Sequence, residues 1–177
     1  MNISMQRIGL IILAIAVFSC SATIQSNKAK DFNDKVKKFY AVIRVADNTG
    51  NFIIKFSESF REELKLRGVE IQFEAVNPLS LETDEDLMKR VNESNADAVL
   101  LLNQTESVTY TNSNAFYFGG QQASGGSFDI KIFVPNSSKP VWRGLLKASS
   151  NGFGNISAAG KSSAERIAEK LIQDGVI

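Results

Sequence analysis

The chain has 177 residues, 44 % hydrophobic and 22 % charged, with 20 basic against 19 acidic side chains, one cysteine and no histidine. That is globular composition, with enough length for one domain to bury a core without disulfide or metal staples. Balanced charge leaves no basic excess for binding nucleic acid, and the missing histidine excludes Ser-His-Asp triads, Cys-His pairs and the usual zinc sites.

At the N-terminus Arg7 precedes an apolar run from Ile8 to Phe18, followed by Ser19 and Cys20. A basic start and a short apolar stretch read as a signal peptide, and the run falls short of the roughly 20 residues that cross a bilayer. Val17-Phe18-Ser19-Cys20 resembles the lipobox of bacterial lipoproteins: Val17, Ser19 and Cys20 match, and Phe18 is bulkier than usual. The resemblance implies removal of residues 1–19 and a diacylglyceryl group on the Cys20 sulfur, which anchors the chain to a membrane. The alternative is an ordinary signal peptide cut nearby, with Cys20 incidental. Loss of residues 1–19 takes away only Arg7 among the charged residues, leaving a formally neutral chain. Ser21 after the cysteine resembles the signal for sorting to the outer membrane, facing the periplasm. Residues 20–38 are polar and lysine-rich, with Lys28, Lys30, Lys35, Lys37 and Lys38. They are expected to form the lipid anchor and a tether, either a plain solvated linker or one held near an anionic bilayer by its lysines.

A single α+β domain is expected over residues 39–177. Phe39 to Ala46 is a β-branched and aromatic strand ended by Asp47-Asn48-Thr49-Gly50. Phe52, Phe56, Phe60 and Leu64 recur at helical spacing until Gly68. Val69, Ile71, Phe73 and Ala75 alternate with Glu70, Gln72 and Glu74, a strand with one wet face. Thr83 before Asp84-Glu85-Asp86 caps a second helix carrying Leu87, Met88 and Val91. Those acids point about 100° apart on a helix, so they make neither a metal site nor a catalytic pair. Ala96 to Leu102 is a buried strand continuing through Thr105, Ser107 and Thr109. Residues 112–126 show no core periodicity and form either a long loop or the tip of a long hairpin. Phe128, Ile130, Ile132 and Val134 alternate with Ser127, Asp129 and Lys131, and Pro135 to Lys139 turns the chain into the strand Val141 to Lys147. Trp142 is expected in the core. Ala164, Ile167, Ala168, Leu171 and Ile172 share one face of a last helix, capped by Ser162 with Glu165 and ended by Gly175. The order βαβαβββα predicts a two-layer sandwich: a mixed five-stranded sheet with about three helices on one face.

Gly154 to Ser162 ends like a phosphate-binding loop, but five residues separate its glycines where the motif needs four, so no nucleotide is expected. There is no Gly-x-Ser-x-Gly elbow. No catalytic residue, metal or cofactor is expected. The candidate contact is Phe116-Tyr117-Phe118, set among glycine, serine, asparagine and glutamine, as aromatics at protein or bilayer interfaces often are. The alternatives are that the triplet folds back on the domain or that the loop is a disordered spacer.

Gly126-Ser-Phe-Asp-Ile-Lys-Ile-Phe-Val-Pro-Asn-Ser-Ser-Lys-Pro-Val-Trp-Arg-Gly144 resembles the closing hairpin of an uncharacterised family of small bacterial envelope lipoproteins, whose second strand ends Val-Trp-Arg-Gly before a C-terminal helix. Where that family's turn usually carries Asp, this chain has Pro135-Asn136. Ala96 to Leu102 is similar, more loosely, to the curli-secretion and penicillin-binding-protein-activator lipoproteins, with Asn103 where a glycine is expected. These resemblances imply an envelope-facing module and supply no catalytic residue, and the absent motifs, the aromatic loop and the wet face of Glu70, Gln72 and Glu74 point to a non-enzymatic module with a protein partner. The alternative is a carrier or sensor of a small apolar or glycan ligand in the helix–sheet crevice.

Overall fold

A computed structural model describes residues 21–44, 50–76, 81–112, 121–135, 137–150 and 156–177. In chain order the elements are β1 (Ser21–Lys28), β2 (Lys38–Arg44), α1 (Gly50–Lys65), β3 (Glu70–Ala75), α2 (Asp84–Glu93), β4 (Ala98–Asn112), β5 (Gln121–Phe133), β6 (Trp142–Ser150) and α3 (Ile156–Gln173). The expected α+β class and mixed sheet are present, with six strands in the order β1-β6-β5-β4-β2-β3. Strand β2 runs parallel to β3 and β4, and the other pairings are antiparallel.

The extra strand is β1, which corrects the expected tether. Ala22 and Ile24 alternate with Thr23 and Gln25, which lets an outwardly polar stretch pair along β6 from Trp142 to Ser149. Phe32 and Val36 after it are buried at 7 % and 3 % exposure. Ser21 onward is therefore already part of the folded domain. The lysines of this stretch serve the fold too: Lys35 Nζ donates to the Ile177 carbonyl and Lys38 Nζ to that of Ser94.

One face of the sheet carries the main core. Phe39, Ala41, Ile43, Leu100, Leu102, Phe128, Ile130, Ile132 and Trp142 meet Phe52, Phe56, Phe60 and Leu64 of α1 and Ala164, Ile167, Ala168 and Leu171 of α3. The four-residue spacing in α1 stacks Phe52 on Phe56 and Phe56 on Phe60, and Phe52 stacks on Phe128 across to the sheet at 5.0 Å. Helix α3 starts six residues earlier than the expected cap at Ser162, so Gly160 sits in its second turn. A Cβ there would come within 2.6 Å of the Phe52 carbonyl, so glycine permits the close crossing of α1 and α3. Residues 156–162 of the phosphate-loop lookalike are thus helical.

A second correction concerns α2. Its Leu87 and Val91 pack on Tyr40 and Val42, which alternate with the core residues of β2 and so face the other way. Two helices cover one face, and α2 covers part of the opposite one. Helical periodicity shows which stripe of a helix is apolar; it carries no information on which side of a sheet receives it.

Candidate functional site

Cys20, Phe116, Tyr117 and Phe118 lie outside the described residues. The strands on either side of the aromatic triplet are described, and they pair as the arms of a hairpin at both ends of the 112–126 segment. Beyond an irregularity at Gln104/Glu106, β4 and β5 pair as a ribbon from Ser107↔Gly126 to Asn112↔Gln121.

On the face opposite the main core, the sheet divides in two. Over β2 and β3 it is closed by α2, whose Thr83 side chain accepts from the Asp86 N–H while the Asp86 carboxylate accepts from the Thr83 N–H. Arg90 then ties the helix down. Its Nε donates to Glu74 at 3.0 Å and its Nη1 to Glu82 at 2.8 Å, and the Tyr40 hydroxyl also donates to Glu74. The Arg90 hydrogen bond holds the Glu74 carboxyl below its ordinary pKa, and burial, aided by Glu74, raises that of Tyr40. Of the wet-face trio Glu70, Gln72 and Glu74, the last is therefore engaged in holding α2.

Over β5, β6 and β1 the same face is open among the described residues. Leu145 is 48 % exposed there, paired with Gln25 on one side and Asp129 on the other. Arg143 and Lys147 flank it along β6. Asp129 accepts from Arg143 Nε at 2.7 Å and pairs with Lys131 at 3.1 Å. Burial would raise its pKa, but hydrogen bonds from Arg143 and Lys131 outweigh that and lower it. The result is an apolar side chain in a rim of fixed charges, the usual anatomy of a protein contact.

Trp142 behaves as expected of a core residue, and its surroundings explain the Val-Trp-Arg-Gly run. The indole lies over Gly144, where a Cβ would come within 2.5 Å of the ring, and its Nε1 donates to Asp174 Oδ2 at 2.8 Å. Arg143, pointing the other way, serves Asp129. Three residues of the motif therefore have structural tasks.

The crevice between helices and sheet is filled by the phenylalanine stack. Among the described residues it leaves a notch of about 280 Å³, open solvent included, lined by Phe52, Phe128, Ala148, Ile156, Ala159 and Gln104 among others. Ligand sites run from about 300 to 1,000 Å³ and enclose most of the ligand. Among the described residues no cluster of three His, Cys, Asp or Glu could hold a metal ion, and no helix is long and apolar enough to cross a membrane.

No protein-family model and no curated protein sequence matches the chain. Solved structures do share its fold. The PelC dodecamer from Paraburkholderia phytofirmans superposes with a TM-score of 0.53 at 12 % identity, and a variant of it with 0.55 at 14 %; each covers 84 % of this chain and 96 % of that one. A PDZ domain protein from Parabacteroides distasonis has a TM-score of 0.43 at 9 % identity, spanning 96 % of this chain and 39 % of that one.

Two features of the open half-sheet have different sequence signals. Leu145-Leu146 are neighbours on a strand, so one of the two must face away from the core. The pairing of Asp129 with Arg143 carries no such signal, because the turn between them leaves the register open.

Proposed function

We propose that this protein is a non-enzymatic lipoprotein of the cell envelope, anchored through Cys20 to the outer membrane and working as a protein-interaction module. The observation that carries the interaction reading is the open half-sheet around Leu145, where a large apolar side chain stands in water between Arg143 and Lys147. Single exposed leucines are common on protein surfaces. Here Arg143 and Lys131 are held by the buried Asp129, so that side of the patch is pre-organised and a partner loses little by ordering it. The dodecameric state of the PelC structures puts a further copy of this chain among the partners to test.

Leu145→Asp places a charge in the centre of that patch. It should leave the melting temperature and the membrane association unchanged, because the side chain is half exposed, and it should abolish recovery of the partner after mild crosslinking. Undiminished recovery would move the contact elsewhere on the surface.

A further inference from the structure

We infer that the anchored protein stands on the bilayer with the Ser21 end of its sheet down, so that the β4–β5 ribbon lies in the lipid headgroup layer. This rests on lipidation of Cys20 proposed above and goes on to say which end of the domain meets the lipid.

The argument starts from covalent geometry. Consecutive Cα atoms are 3.8 Å apart, so a lipid on Cys20 fixes Ser21 within one residue of the membrane. With β1 folded into the sheet there is no tether to hold the domain away. Ser21 pairs with Ser149, and Ser149 with Gly125, which in turn pairs with Val108. That rung runs across four strands at the anchored end. From it, β4 and β5 continue outward together. Thr109↔Ser124 still has Ser150 of β6 beside it, and Tyr110↔Ala123, Thr111↔Gln122 and Asn112↔Gln121 pair only with each other among the described residues. Four residues at about 3.3 Å each carry Asn112 roughly 13 Å past the Ser21 rung. The interfacial layer on each side of a bilayer is about 5–8 Å thick, so a ribbon of this length reaches through it even when tilted.

Charge supports the same orientation. Between Glu106 and Asp129 there is no charged residue, in a chain that is 22 % charged. The ribbon is built of serine, threonine, tyrosine, asparagine, glutamine and glycine, the uncharged polar and aromatic chemistry that suits a headgroup layer. The lysines of the 20–38 stretch lie at the other end, and Lys147, level with Thr23, is the one on β6 near the anchor: Lys28 closes β1 seven residues from Ser21, about 23 Å away along the strand, and Lys35 and Lys38 are bonded beyond it. A domain resting on its lysine-rich end would have to lift Ser21 by that distance, and no linker is present to allow it.

The test uses the full lipidated protein in vesicles of phosphatidylethanolamine and phosphatidylglycerol that contain a lipid with a nitroxide on its headgroup. Cys20 is the only cysteine and is blocked by its lipid, so an environment-sensitive fluorophore attaches only to a thiol introduced by Gln122→Cys, by Thr111→Cys on the facing strand, or by Asp31→Cys at the far end. Quenching several-fold stronger at 122 and 111 than at 31 is the expected result. Equal quenching at both ends, or stronger quenching at 31, overturns the orientation. Palmitate incorporation into the same preparations separates the two claims. Labelled protein without quenching at 122 and 111 defeats the orientation alone, and protein that takes no palmitate defeats the lipoprotein reading and the orientation with it.

Discussion

Asp174 joins three parts of the chain through one carboxylate. Its Oδ2 accepts from Ser26 Oγ of β1 at 2.5 Å and from Trp142 Nε1 of β6, and its Oδ1 pairs with Lys170 of α3 at 2.9 Å. Burial would raise its pKa, yet bonds from Ser26, Lys170 and Trp142 bring it below the ordinary 3.8. A carboxylate depressed in the folded state contributes stability that is complete above the unfolded pKa and is lost as the pH falls through the folded one. Asp174→Ala strands the buried indole N–H and should cost about 1–3 kcal/mol at neutral pH. The deficit against the native protein should shrink below pH 3.8, as urea melts at several pH values would show. A pH-independent deficit would mean that the carboxylate is not what holds these strands. Gly144→Ala should destabilise by a similar amount, about 1–3 kcal/mol, because its methyl group displaces the Trp142 ring. A red shift of the tryptophan emission should accompany it; an unshifted spectrum and an unchanged melt would show that the ring has room.

At the scale of elements, β1 separates a folded N-terminal segment from a tether. Phe32→Ala should cost about 3 kcal/mol or more, lowering Tm by roughly 6–12 °C, whereas in a tether it would cost nothing. Thermal melts of the two chains decide between these. The sequence made most elements readable because a single apolar period persists in each: α1 through its four phenylalanine and leucine positions, β3 and β5 through strict alternation. In β1 the same alternation exists, but its core face consists of Ala22 and Ile24, one small and one half-buried, and the following lysines outweigh them. The side on which α2 packs is set by the length and path of its connections, which residue periodicity does not encode. At the candidate site the legibility is mixed for the same reason. The Leu145-Leu146 pair announces an outward leucine, but its charged rim depends on cross-strand register.

For the whole molecule, one sheet carries three different environments: a face closed by α1 and α3, an opposite face closed by α2 over β2 and β3, and the open half over β5, β6 and β1. The proposed anchor at the Ser21 end leaves that open half standing upright beside the membrane, within reach of another envelope protein or a further copy of the chain. The interaction reading is tested most directly by a photo-crosslinking amino acid at position 145 of the lipidated protein, irradiated in living cells, with position 70 on the β3 side as the reference. The account predicts protein adducts at 145, to a partner or to the chain itself, that far exceed those at 70. Adducts at 145 no more abundant than at 70 would contradict it.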